Sequence, residues 1–177
     1  VSGIKNAISK VIEGFNGTGN VSFAFSNHDV PRVATRQLTA LGLKESQSDS
    51  LQLLLLKLEV SLIGSTCVYQ GEELGLEDVQ DIPIDQLRDP WGIEFAPTFL
   101  GRDTCRTPMV WNSIKTNTNC GFSTANKTWL PISNKHVKKA ALDAVERPGS
   151  IYNEFSEFLK WRKEQPAMMS ANYMTKP

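Results

Sequence analysis

The spacing of hydrophobic residues predicts three long helices and two short strands. In three segments, apolar residues recur three and four positions apart, which is typical of helices with a buried face. These segments are Ser2–Phe15, Ser50–Leu62 and Ile151–Glu164, and the second is apolar on most of its faces. Two short apolar runs, Val21–Phe25 and Thr66–Tyr69, predict buried strands.

The predicted elements alternate along the chain, because each strand follows a helix and leads into a polar loop. A shorter helix is predicted over Val33–Leu41, after the first of these loops. Alternation of this kind predicts an α/β fold with right-handed crossovers and parallel strands. Since the carboxyl ends of parallel strands meet at one edge of a sheet, we expect the polar clusters after both strands to lie on the same face.

The regular spacing fades between residues 76 and 139. This segment holds five of the nine prolines and three of the four tryptophans. Long segments without regular structure are usually functional loops or disordered regions. The aromatic content argues against disorder, and we therefore predict an ordered, irregular loop. Its aromatic residues are Trp91, Phe95, Phe99, Trp111, Phe122 and Trp129.

Composition narrows the class of protein. Lys plus Arg equals Asp plus Glu at 19 each among 177 residues, so no net charge attracts nucleic acid or an acidic membrane. The apolar run Leu51–Ile63 contains Gln52, Lys57 and Glu59, and is too short and polar to span a bilayer. We expect neither nucleic acid nor a membrane as a partner.

The three cysteines form no Cys-x-x-Cys pair, and their number is odd. This pattern argues against a disulfide framework and against a zinc site, and it favours a reducing compartment. We therefore expect a cytoplasmic location, with the periplasm or secretion as alternatives. No metal or other cofactor is implied.

Three polar motifs hold the residues suited to chemistry. Asn27–Arg32 reads Asn-His-Asp-Val-Pro-Arg and follows the first predicted strand, where α/β barrels place active-site loops. Tyr69–Gly75 reads Tyr-Gln-Gly-Glu-Glu-Leu-Gly and follows the second strand. Gly101–Trp111 reads Gly-Arg-Asp-Thr-Cys-Arg-Thr-Pro-Met-Val-Trp and lies in the irregular loop.

Together and in this order, the motifs resemble the α-glucosidase and oligo-1,6-glucosidase branch of the α-amylase superfamily of glycoside hydrolases. The resemblance extends over nearly the whole chain. It implies the C-terminal portion of a (β/α)8 TIM barrel, about strands seven and eight with helices six to eight, followed by a long irregular loop. Residues 1–177 would be a C-terminal fragment of this catalytic barrel, without a separate second domain.

The resemblance also implies roles for individual residues. Asp29 matches the family's third acidic residue, which stabilises the positively charged transition state at the cleaved sugar. His28 would donate a hydrogen bond to the same sugar, and Arg102 would close the pocket at the non-reducing end. The expected carboxylate partner of Arg102 would lie in a barrel loop that this sequence lacks. The remaining predicted substrate-binding residues are Asn27, Arg32 and Glu72.

Retaining cleavage of a glycoside requires a carboxylate nucleophile and a carboxylic acid. In the family these come from strands four and five, which have no match here. The resemblance thus implies part of a retaining α-glucosidase acting at the non-reducing ends of short oligosaccharides of the maltose or isomaltose type. We predict that the 177 residues alone are inactive.

Several residues in the motifs keep two interpretations. Glu72 and Glu73 could be an acid and a base, but adjacent side chains on extended backbone usually point apart. This favours one glutamate at the pocket rim and one supporting the loop. Arg106 is expected to fix the loop, with sugar contact as the alternative, and Asp103 to be structural. Trp91, Phe95 and Phe99 could form a sugar platform, although packing inside the loop is favoured.

Three other functions are alternatives to the glycosidase. A serine hydrolase using Ser26, His28 and Asp29 fails, because the residues cannot face one another and no Gly-x-Ser-x-Gly turn is present. A metal site using His28, Asp29 and Asp89 lacks a second histidine at ligand spacing. The alternative that stays open is a non-catalytic relative, a partner subunit of an amino-acid transporter, although the intact first and third motifs favour an enzyme.

An incomplete barrel would leave strand edges open and apolar helix faces uncovered. We therefore expect self-association, or pairing with the missing part of the barrel.

Overall fold

The computed structural model describes residues 2–15, 21–114 and 118–170. Within these residues two strands, β1 (Ser22–Phe23) and β2 (Ser65–Thr66), pair in parallel, with Ser22 opposite Ser65. The predicted parallel pairing is confirmed. Both strands are shorter than the apolar runs predict, because side chains take the backbone donors that would extend the ladder. The Phe25 N–H donates to the side chain of Glu59 at 3.3 Å, and the Tyr69 N–H donates to the side chain of Glu72 at 2.9 Å.

The three long helices predicted from the sequence are confirmed to within two residues at each end. The third begins where the side chain of Ser150 accepts a hydrogen bond from the Asn153 N–H. No helix in the described ranges is long and apolar enough to cross a bilayer. The helices are α1 (Ser2–Phe15), α2 (Val33–Leu41), α3 (Ser48–Val60), α4 (Pro90–Phe95), α5 (Asn134–Val137), α6 (Ala141–Glu146), α7 (Ile151–Lys163) and α8 (Pro166–Ser170).

Helix α3 packs between α2 and α7. The contact with α7 buries Leu56, Val60, Ile151 and Phe155 in one cluster. Burial of aliphatic and aromatic side chains of this size stabilises the packed helices by roughly 2 kcal/mol each. Leu54 is 63% exposed, so α3 has an open apolar face, whereas a helix that is apolar on most faces is expected to be buried.

The irregular segment is ordered around small aliphatic clusters. Val79, Ile82 and Leu87 form one of them, and several 3₁₀ turns connect the elements around it. The expectation that Trp91, Phe95 and Phe99 mostly pack inside this segment is wrong. Their exposed fractions are 55%, 57% and 42% for Trp91, Phe95 and Phe99, respectively. The aliphatic residues supply the core, so these rings remain on the surface.

Glu59 lies in α3 beneath β1 and is 1% exposed. Burial, together with the nearby carboxyl group of Glu72, raises the pKa of Glu59 to about 7. Because this folded-state pKa lies above the ordinary value of 4.5, the folded protein holds a proton that the unfolded chain releases. The resulting stabilisation is complete below the ordinary value and is lost as the pH rises through about 7.

Replacing Glu59 with glutamine should therefore flatten the pH dependence of stability. Glutamine still offers an oxygen to the Phe25 N–H but has no charge to bury. We expect Glu59→Gln to gain stability relative to the wild type as the pH rises from roughly 5 to 9, by a few kcal/mol. Thermal melts at both pH values measure this. Glu157→Gln, at an exposed position of α7, is the control. If the wild type and Glu59→Gln lost the same thermal stability between these pH values, the prediction would be contradicted.

Candidate functional site

The first motif forms a tight loop at the carboxyl end of β1. The side-chain oxygen of Asn27 accepts the backbone N–H of Asp29 at 2.8 Å, and the backbones of Asn27 and Val30 form an antiparallel bridge. This local bonding raises His28 and Asp29 into solvent, where their side chains are 69% and 54% exposed. Asn27, a predicted substrate ligand, uses its side-chain oxygen to shape the loop.

Two arginines from the third motif contact the Asp29 carboxylate. Arg102 Nη1 and Arg106 Nη2 lie 3.2 and 2.9 Å from the same oxygen, Asp29 Oδ1. Arg106 also donates from Nε to the His28 carbonyl at 2.7 Å, so it fixes the loop, as favoured from the sequence. His28 Nε2 lies 3.3 Å from the other oxygen, Asp29 Oδ2. The structure thus brings together residues that are 73 or more positions apart.

Arg102 is held by a second carboxylate, that of Asp89, whose side chain is completely buried. Its Nη2 donates to Asp89 Oδ1 at 2.8 Å and its Nε to Oδ2 at 3.0 Å, a bidentate geometry that suits a guanidinium. Hydrogen bonding from Arg102 lowers the pKa of Asp89 below its usual range, and the same bonding raises the pKa of Arg102. The guanidinium also lies over the Trp91 ring, 4.7 Å from its centroid.

From the sequence, Asp89 has no role beyond the rejected metal site, and the carboxylate partner of Arg102 is expected in a barrel loop that the sequence lacks. The structure shows Asp89 as a partner instead. Its role depends on Gly101, whose φ of +69° favours glycine. A Cβ at Gly101 would lie 2.6 Å from Asp89 Oδ2, so a larger residue would displace the carboxylate. The side chain of Asp103 is 1% exposed and accepts the Asp89 N–H at 2.8 Å, which gives it a structural role.

Arg32 was predicted to bind substrate, and the structure places it in the interior instead. Its side chain is 1% exposed and donates to two backbone carbonyls, those of Gln70 at 2.7 Å and Cys105 at 3.4 Å. The guanidinium also lies over the Tyr69 ring, 4.8 Å from its centroid. In this position Arg32 joins the three motifs, and its burial leaves it out of reach of a ligand in solvent.

Glu72 was also predicted to bind substrate and is also buried, at 1% exposed. One carboxyl oxygen accepts the hydroxyl of Ser26, and the other accepts the Tyr69 N–H at 2.9 Å. Glu73 accepts the Gly71 N–H at 2.8 Å. The two glutamates therefore accept different backbone N–H groups, those of Tyr69 and Gly71. This arrangement does not fit an acid and a base acting on one bond.

The exposed surface of the site consists of His28, Asp29, Arg102 and Arg106. It offers one carboxylate, an imidazole and guanidinium donors, groups that hydrogen-bond readily to sugar hydroxyls. The side chains are oriented by a surrounding frame that includes Asp89 and Arg32. Such a site is equipped to bind a polar ligand and to place a fixed negative charge beside it.

The model of the α-amylase catalytic domain matches residues 1–171. The chain belongs to this α-amylase family. Among curated members of the family, a probable α-glucosidase of Rhizobium meliloti is 42% identical over 150 residues, which cover 85% of this chain and 26% of the relative. A glucan 1,6-α-glucosidase of Streptococcus dysgalactiae subsp. equisimilis is 28% identical, covering 91% of this chain and 32% of the relative.

Solved structures of the α-amylase family match the backbone. The α-glucosyl transfer enzyme XgtA is 36% identical and superposes with a TM-score of 0.81, covering 98% of this chain and 31% of that enzyme. Trehalose-6-phosphate hydrolase of Bacillus licheniformis is 26% identical with a TM-score of 0.78, covering 94% of this chain and 32% of the hydrolase. The chain therefore spans about a quarter to a third of the length of these relatives.

These comparisons confirm the family resemblance drawn from the three motifs. The α-amylase catalytic domain and its barrel neighbours account for nearly the whole chain. The assignment of β1 and β2 to particular barrel strands stays a prediction.

Proposed function

We propose that this chain is the C-terminal portion of the (β/α)8 barrel of a retaining α-glucosidase, with β1 and β2 as strands seven and eight. The observation that supports this most strongly is the Asp29 carboxylate, which β1 delivers to the surface and two arginines hold by one oxygen. Positions at the carboxyl ends of barrel strands are where enzymes of this architecture place their reacting groups.

In this proposal Asp29 acts on the sugar whose bond is broken. Two guanidinium groups hold Asp29 Oδ1, and Oδ2 remains beside His28 on the exposed side. A fixed carboxylate oxygen accepts hydrogen bonds from sugar hydroxyls and stabilises the positive charge that develops on the ring. His28 donates to the same sugar, and Arg102 borders the pocket. Upstream residues of the barrel supply the nucleophile and the acid/base.

The proposed substrates are α-glucosides of the maltose or isomaltose type. Relatives that match most of this chain include a maltase of Drosophila virilis, which is 32% identical, and an oligo-1,6-glucosidase of Parageobacillus thermoglucosidasius, which is 25% identical. Hydrolysis from the non-reducing end of short chains is the proposed reaction. The first and third motifs are intact and meet at the Asp29 carboxylate, which favours this enzyme over a non-catalytic transporter partner.

The proposal predicts activity in a completed barrel and none in this chain alone. A chimera in which the chain replaces the matching segment of the Rhizobium meliloti relative should hydrolyse an aryl α-glucoside with retention of configuration. The 177-residue protein by itself should show no turnover above buffer. A folded chimera without activity would contradict the proposal, and so would turnover by the isolated chain that Asp29→Asn abolishes.

A further inference from the structure

A buried chain of hydrogen bonds joins the ends of the two strands. The carboxyl group of Glu72, at the exit of β2, accepts the Ser26 hydroxyl with one oxygen and the Tyr69 N–H with the other, the latter at 2.9 Å. Ser26 follows β1 and is 2% exposed. Glu72 thereby ties two segments that lie 46 residues apart in the sequence.

The same Ser26 hydroxyl closes the base of the Asp29 loop. Its oxygen accepts the N–H of Val33, the first residue of α2, at 2.9 Å. Arg32, the residue immediately before α2, provides no side-chain cap, so Ser26 supplies the acceptor that this helix terminus needs. Residues 27–32 therefore form a loop whose ends, Ser26 and Val33, are joined through the Ser26 hydroxyl. That hydroxyl in turn donates a hydrogen bond to Glu72.

A second clamp acts on the solvent side of the same loop. Arg36 donates to the carbonyls of Phe25 at 2.5 Å and Pro31 at 2.8 Å, and its contacts are exposed. Exposed hydrogen bonds compete with water and fix geometry less firmly than buried ones. Of these two clamps, the buried link through Ser26 and Glu72 is therefore the stronger constraint on the base of the loop.

We propose that Glu72 is a positioning residue that acts through Ser26 to hold the Asp29 carboxylate in its reactive place. This inference rests on the proposed function, in which Asp29 stabilises the transition state. A carboxyl group accepts at both oxygens, so it satisfies a hydroxyl and an amide donor at once. Glutamine keeps the shape but has only one acceptor oxygen, so either the Ser26 hydroxyl hydrogen or the Tyr69 N–H loses its acceptor.

The test uses the chimera with the Rhizobium meliloti relative. Glu72→Gln should lower kcat for an aryl α-glucoside about tenfold while changing KM by less than about twofold, because displaced reacting groups cost rate more than binding. Glu73→Gln is the matched control, since this adjacent glutamate accepts the Gly71 N–H within its own motif, and its kcat should stay within about twofold of the wild type.

The decisive comparison repeats Glu72→Gln in the Asp29→Asn background. If Glu72 acts through Asp29, its substitution should lower kcat by less than about twofold once the Asp29 charge is gone. A general loss of structure would instead lower kcat by the same factor in both backgrounds, and that result overturns the proposal. Ser26→Ala removes the same link with a smaller change and should reproduce the pattern; it serves as the test if Glu72→Gln fails to fold.

The two proposals fail in different ways. An unchanged kcat for Asp29→Asn in an active chimera would overturn the proposed function and this inference together. A large loss for Asp29→Asn with no loss for Glu72→Gln and Ser26→Ala would overturn the positioning role alone.

Discussion

In the chimera, Asp29→Asn should lower kcat for an aryl α-glucoside by about 10²–10³-fold and change KM far less. The substitution keeps the size of the side chain and an oxygen for Arg102 and Arg106, but it removes the negative charge. That charge is useful mainly when the sugar ring becomes positive, which happens in the transition state and not in the bound substrate. Initial rates over a range of substrate concentrations separate the two constants.

Asp85→Asn is the matched control, because Asp85 is an exposed aspartate in the Ile84–Gln86 turn, outside the cluster around Asp29. Its kcat should equal that of the wild type. Equal kcat values for Asp29→Asn and Asp85→Asn would show that the carboxylate has no part in the reaction. A rise in KM alone would give Asp29 a binding role without a role in the transition state.

The helices could be predicted from the sequence because their signal is local. The spacing of apolar residues in α1 and α7 depends on contacts within a few turns, and both helices appear with nearly the predicted bounds. Strand length depends on distant partners. The run Val21–Phe25 gave no sign that Glu59 would take the Phe25 N–H and end the pairing.

The site residues show the same contrast between what is local and what depends on distant partners. The motifs identified His28, Asp29 and Arg102, which the structure places on one exposed surface. Arg32 and Glu72 share those motifs but are buried, because their partners lie 38 and 46 residues away. A charged residue in a sequence suggests contact with solvent or with substrate. Burial of that charge among several backbone partners is visible only in the three-dimensional structure.

Asp89 presents the reverse case, a buried carboxylate on which the exposed site depends. Asp89→Asn removes the charge that holds Arg102 by two hydrogen bonds, and Asp29 is then the carboxylate that remains within its reach, at 3.2 Å. We expect Arg102 to pair more closely with Asp29, which should lower kcat/KM because a neutralised Asp29 stabilises the positive ring less. The free energy of unfolding should also fall, since the buried Asp89 side chain exchanges charge-assisted hydrogen bonds to Arg102 for weaker neutral ones.

Both effects of Asp89→Asn are measurable in the chimera, by initial rates and by urea unfolding, with Asp85→Asn again as the control. The reason for expecting them together is the geometry of Arg102, whose guanidinium contacts Asp89 and Asp29 at once. Arg102→Lys should lower kcat/KM as well, because an ammonium group cannot reproduce the bidentate bonding. Loss of stability without loss of kcat/KM would show that the Asp89–Arg102 pair supports the fold but does not set the charge at Asp29.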